Sequence, residues 1–177
     1  MNFAYADPPY FGLAAKVYGN QHPDAAAFDN IETHAALIAR LCDEYDGWAM
    51  SLHTPSLRAI LGLCPDDVRI ASWCKPWAPF RPGNKGAHYA WEPVIFRGGR
   101  PFAKRLHCHR DYTITPMVLG NAKKSYGKGT KPFLFTIWVL ESLLNAEPDD
   151  NISDLFPRSG AVSHAIEEKK KKKRICV

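Results

Sequence analysis

The chain has 177 residues and a formal net charge of +5, with 46% hydrophobic and 23% charged residues, which suits one domain with a real core. No apolar run approaches the roughly 20 residues of a membrane span, and no signal peptide precedes the first apolar segment. The five cysteines are scattered and odd in number, which argues against a disulfide-stapled secreted domain and for the cytoplasm.

Phe3–Ala6 is a short apolar run that stops at Asp7-Pro8-Pro9-Tyr10. It reads as a buried strand of a parallel sheet. The prolines end it and donate no N–H, leaving the Asp7 carboxylate at the carboxyl end of the strand, where open α/β sheets bind ligands. Residues 12–30 read as a polar loop long enough to be an active-site lid. Ile31, Ala35, Leu37, Ile38, Leu41 and Cys42 recur at helical spacing behind Asn30, a natural N-cap. Residues 47–52 read as a second strand, 55–62 as a short helix opened by proline, 68–74 as a third strand and 89–96 as a fourth, followed by a Gly98-Gly99 turn. Residues 101–129 read as irregular. Lys131-Pro132 opens an apolar helix through Leu144. Residues 151–156 form another strand, 157–160 a tight loop and 161–168 a helix. Strands alternating with helices predict an α/β sheet with helices on both faces. One domain covers residues 1–168, and 169–177 is a basic tail whose like charges predict fraying.

Charge is unevenly placed. Residues 75–131 carry twelve Lys/Arg against two acids, Glu92 and Asp111, whereas the first 70 residues carry nine acids and four bases. A basic stretch interleaved with aromatics suits a nucleic-acid groove, and Lys104, Arg105, Lys123 and Lys124 are its expected phosphate contacts. The bland alternative is a solvated loop region with some core aromatics. His107-Cys108-His109 has no Cys-x-x-Cys companion, so no metal is expected.

A carboxylate, a backbone carbonyl and an aromatic ring in succession suit the exocyclic amino group of a flat heterocycle. Here the chain resembles the amino-methyltransferases of nucleic acids, whose Asp-Pro-Pro-Tyr element holds the amino group to be methylated. Asp154-Leu155-Phe156-Pro157-Arg158-Ser159-Gly160, followed by a helix, resembles the cofactor loop of S-adenosylmethionine-dependent methyltransferases, whose pattern is Asp-x-Phe-x-Gly-x-Gly. Phe156 and Gly160 match, and Arg158 stands where the first glycine is expected. Thr130-Lys131-Pro132-Phe133, Trp73-Cys74-Lys75-Pro76 and the segment 88–96 resemble further elements of those enzymes.

The order, acceptor strand first and cofactor loop last, is similar to the circularly permuted class found in phages and prophages. The resemblance implies a Rossmann-like class I methyltransferase sheet, circularly permuted and minimal, in the cytoplasm of a bacterial host. It implies transfer of a methyl group from S-adenosylmethionine to adenine N6 of DNA, flipped from a duplex or single-stranded. Asp7, Pro8, Pro9 and Tyr10 would be catalytic. Lys131, Pro132, Asp154, Phe156, Pro157, Ser159 and Gly160 would hold the cofactor. Larger relatives continue into a further strand bearing a ribose-binding acid; only Arg174–Val177 stand there in this sequence, so an incomplete adenosine pocket is expected. Readings that stay open are an inactive nucleic-acid-binding relative, a cytosine-N4 enzyme and an RNA adenine enzyme.

Overall fold

A computed structural model describes residues 1–19, 23–76, 86–103, 109–116, 130–157 and 160–175. Its strands are β1 (Asn2–Ala6), β2 (Gly47–Ser51), β3 (Arg69–Cys74), β4 (Trp91–Gly98), β5 (Tyr112–Ile114) and β6 (Asn151–Asp154). They form one sheet in the order β5-β3-β4-β2-β1-β6. β1 runs parallel to both β2 and β6, and β3 parallel to β5. β4 runs antiparallel to its neighbours β2 and β3.

Alternation along the strands divides the core in two. Phe3, Tyr5, Ala49, Trp73, Val94 and Phe96 pack with α4 (Phe133–Trp138), its π-helical continuation Val139–Leu143, and α5 (Ala161–Ile175). Ala4, Ala6, Trp48, Met50 and Ile95 pack with α2 (Ile31–Glu44) and α3 (Leu57–Leu61). Both faces are therefore covered, which is why β1 and β2 are apolar at nearly every position. Asn30 caps α2 as its sequence suggests, its side chain accepting from the Glu32 N–H at 3.1 Å.

Several elements differ from the sequence reading. Residues 12–30 are not a plain loop: α1 (Ala14–Tyr18) and a 3₁₀ helix (Pro23–Asp29) lie within them. Asp29 ties the two together, accepting from the Ala14 and Ala15 N–H groups at 2.9 and 2.8 Å. Within 101–129, Tyr112–Ile114 is an edge strand. The basic end does not fray at 168, because α5 runs to Ile175. Lys169 meets Glu141 and Lys171 meets Glu168, both at 2.9 Å, which offsets the repulsion between successive cations.

Glycine is required where β2 meets the end of β4. Gly98 and Gly99 have φ of +68° and +101°, and a Cβ on Gly47 would stand 2.4 Å from the Gly99 nitrogen. Pro93 is tolerated inside β4 because its carbonyl faces β2, where it accepts from the Leu52 N–H at 3.0 Å, so its missing donor also faces β2, just past the last ladder pair Ser51↔Val94.

Candidate active site

The carboxyl ends of β1, β2, β3 and β6 share one edge of the sheet, and antiparallel β4 brings its beginning there. β1 and β6 part at this edge: Tyr5 pairs with Asp154, and the Leu155 N–H donates to the Tyr5 carbonyl at 3.0 Å. The chain continues from β1 into Asp7-Pro8-Pro9-Tyr10 and from β6 into the loop that rises to α5. β1 lies between parallel neighbours reached by separate connections, so this is a crevice of the kind in which open α/β sheets bind ligands.

Lys131 stands at the centre of a charged cluster. It is 5% exposed, and its ammonium lies 3.0 Å from Asp7 and 3.4 Å from Glu92. It also donates to the Tyr10 hydroxyl at 2.9 Å. That hydroxyl lies 3.1 Å from Glu92 and 3.4 Å from Asp7, so its proton can go to either carboxylate. Glu92 in turn pairs with Lys75. The rings of Tyr10, Trp73 and Phe135 surround the Lys131 ammonium at 5.5, 5.6 and 5.9 Å, and Lys75 lies 4.6 Å from the Trp73 ring. Two carboxylates and two ammoniums thus neutralise one another in a largely buried cluster, the arrangement a buried charge needs.

Ionisation follows from this geometry. Burial pulls Lys131 down, but the charges of Asp7 and Glu92 outweigh it and hold the amine above its ordinary range. Burial raises Glu92, and the two lysines more than reverse that, leaving it below the usual carboxylate range. For Lys75 burial prevails over Glu92, and its pKa is lowered. For Asp7 burial prevails over Lys131, and its pKa is raised. Tyr10 is pushed well above its ordinary value by burial, then by the charge of Asp7. Its ring stacks on His53, with centroids 5.3 Å apart and planes at 12°. His53 follows β2, is bonded to the Ser56 hydroxyl through Nδ1 at 2.8 Å, and is held below the usual imidazole range by burial.

On the β6 side, Asp154 joins the strand end to α5. Its carboxylate accepts from the Phe156 N–H at 3.2 Å and the Ser163 hydroxyl at 3.0 Å, and burial raises its pKa. Phe156 packs edge-on against Phe28 at 5.5 Å. Pro157 is exposed. Gly160 has φ +67°, and among the described residues other than its chain neighbours no atom lies within 4 Å of where its Cβ would stand.

The structure therefore brings Asp7, Tyr10 and Lys131 together, with Pro8 buried behind them and Pro9 half-buried. Lys131 is buried, and its partners here are the Asp7 and Glu92 carboxylates and the Tyr10 hydroxyl. Both Asp154 oxygens are engaged by the loop and α5. Lys104, Arg105, Lys123, Lys124, Arg158 and Ser159 lie outside the described residues, as do His107 and Cys108. Sequence reasoning missed Glu92, Lys75 and His53. The available signal was an acid inside an otherwise apolar strand, and a lysine directly after one. Among the described residues no group of His, Cys, Asp and Glu can hold a metal ion, and no helix is long and apolar enough to cross a membrane.

No protein-family model matches this chain, and no curated protein does. Solved structures do match, and with the six-stranded sheet covered on both faces they give a Rossmann-like α/β architecture. One is the crystal structure of the M1.HpyAVI–SAM complex, with a TM-score of 0.62 at 14% identity, covering 96% of this chain and 78% of that one. The likeness is one of fold.

Proposed function

We propose that this protein transfers a methyl group from S-adenosylmethionine to an exocyclic amino group of DNA, with adenine N6 as the target. The observation that carries this reading is the adjacency of two loops. Asp7-Pro8-Pro9-Tyr10 leaves β1 directly beside the Asp154–Gly160 loop leaving β6. An amino acceptor and a candidate cofactor cradle thus sit side by side at one crevice. The open space around Gly160 and its positive φ fit the close approach of a cofactor to backbone, and the similarly folded M1.HpyAVI was solved with SAM.

The bound cofactor would supply an electrophilic sulfonium methyl. The remaining work falls to the chain. An adenine amino group is a weak nucleophile because its lone pair is delocalised into the ring. Asp7 and the Pro8 carbonyl accept its two hydrogens, drawing the nitrogen toward sp³ and exposing the lone pair. The Asp7 carboxylate then stabilises the positive charge that develops on nitrogen. The Tyr10–His53 stack offers a flat ledge for the base, which arrives flipped out of a duplex or already single-stranded. Lys104, Arg105, Lys123 and Lys124 hold the phosphates. The order of the two elements supports a phage- or prophage-type, circularly permuted enzyme acting in a bacterial cytoplasm.

The test is mass spectrometry of nucleosides from cells expressing wild type, Asp7→Ala and Asp7→Asn, with calorimetric titration of S-adenosylmethionine. N6-methyladenine is expected from wild type and a loss of roughly a hundred- to a thousandfold in rate from either variant, with cofactor binding retained. Equal methylation from wild type and Asp7→Ala refutes the role of Asp7. N4-methylcytosine corrects the base. A wild type that neither methylates nor binds the cofactor is an inactive relative.

A further inference from the structure

The Asp7 carboxylate, which the proposed function assigns to a substrate amino group, is already occupied. The Lys131 ammonium lies 3.0 Å from it and bonds the Tyr10 hydroxyl at 2.9 Å. An ammonium presenting N–H donors to Asp7 stands in chemically for the amino group the site is meant to receive. Were Lys131 held by Asp7 alone, an incoming amine would have to strand a buried cation, and it would not compete. Lys131 is not held by Asp7 alone. Glu92 lies 3.4 Å from the same ammonium, accepts from the same hydroxyl at 3.1 Å, and is fixed from behind by Lys75.

We infer that Glu92 is a positioning residue that takes over the Lys131 ammonium and the Tyr10 hydroxyl when a substrate amino group reaches Asp7. This inference rests on the methyltransferase reading and adds to it a residue that never touches the substrate. The hand-over needs only a small swing of Nζ, because both carboxylates already lie within 4 Å of it. It leaves every charged group with a hydrogen-bond partner: Asp7 with the substrate's amino hydrogens, Lys131 and Lys75 with Glu92. Lys75 keeps Glu92 in place, and the Trp73 and Phe135 rings keep the ammonium near both acids. The charged and titratable groups facing Lys131 are Asp7, Tyr10, Glu92, Lys75 and Tyr5; of these, Glu92 is the carboxylate left to receive the ammonium.

The hand-over makes recognition of the amino group depend on Glu92. The test uses the full chain and two single-stranded oligonucleotides, one with a central adenine and one with purine, which lacks the amino group, at that position. Lys131 is followed by NMR through ¹³Cε-labelled lysine, and Asp7 through its side-chain carboxyl carbon. In wild type, saturation with the adenine strand shifts the Lys131 signal and the purine strand does not. Glu92→Gln is expected to reduce the adenine-over-purine binding preference about tenfold and to lower the Asp7 pKa, since the ammonium then serves Asp7 alone. Glu92→Asp restores part of the preference. A merely structural Glu92 would leave the preference unchanged while the fold persists, whereas the Asp7 titration falls in either case because the Glu92 charge raises it. An unmoved Lys131 signal, or an unchanged preference in Glu92→Gln, overturns the hand-over and leaves the methyltransferase reading intact. Failure of wild type to bind either strand rejects the reading and the hand-over together.

Discussion

Lys131→Met should destabilise the protein strongly, because it removes the cation that two carboxylates share. At an effective dielectric of about 20, a unit pair at 3.0 or 3.4 Å is worth roughly 5 kcal/mol. The ammonium surrendered hydration to become 5% exposed, which cancels much of that gain. Breaking a buried pair by removing one partner typically costs about 3–5 kcal/mol, and Lys75 still serves Glu92, so about 3 kcal/mol is expected. In a domain of this size that lowers the melting temperature by about 10 °C. The cost should depend on pH in a defined direction. Without Lys131 the Asp7 carboxyl lies further above its unfolded value, and Glu92 loses one of the two cations that hold it below its own. The penalty is then full where they are ionised and fades as pH falls toward those values. Urea titrations of wild type and variant at pH 7.5 and pH 5 should show the deficit shrinking at the lower pH. A loss below about 1 kcal/mol, or one equal at both pH values, would refute the claim that Lys131 is the counter-ion of this site.

Asp150 is held at about 2 because the amino terminus, the Glu147 N–H and Arg100 together outweigh its burial. Its folded value lies below its unfolded one, so it contributes about 2 kcal/mol at neutral pH that is lost as pH falls from about 5 to 2. Asp150→Asn should flatten acid denaturation over that interval, as circular dichroism would show. Gly47→Ala should cost more than Gly160→Ala in urea melts, because a Cβ at 47 meets backbone at 2.4 Å while one at 160 meets open space. The latter carries only the roughly 1–2 kcal/mol of a left-handed backbone. Replacing Lys104, Arg105, Lys123 and Lys124 with Ala should weaken DNA binding alike for unrelated sequences and flatten its salt dependence by about one unit of slope per lost phosphate contact; an unchanged slope would rule the segment out as the groove.

Much of this molecule could be read from its sequence where one local rule sufficed. An apolar run cut by two prolines placed β1 and Asp7. A side-chain cap and helical spacing placed the start of α2. Tyr112–Ile114 escaped because three residues on a sheet edge, two of them exposed, carry no usable periodicity. The end of α5 was misjudged because repulsion along a lysine run was weighed without the acids that a folded chain brings to it. The partners of Lys131 were hidden for a different reason. Asp7 and Glu92 lie far from it in sequence, and Glu92 reaches the β1 end of the sheet because β4 inserts, reversed, between β2 and β3.

That inserted strand also divides the sheet beside the crevice into two halves. β6, β1 and β2 form one parallel trio carrying Asp7 and Tyr10; β4, β3 and β5 form the other, carrying Glu92 and Lys75. The seam between them is the ladder from Gly47↔Gly98 to Ser51↔Val94, extended by one bond from the Leu52 N–H to the Pro93 carbonyl. The charged cluster lies across the end of this seam and fastens it like a clasp. Parting β2 from β4 would strip Asp7 and Tyr10 of Glu92 in a single motion, and a ligand gripping both halves would close the seam behind it. By mass action, a ligand that bridges the two halves should raise the protection of the β2 amides against hydrogen exchange.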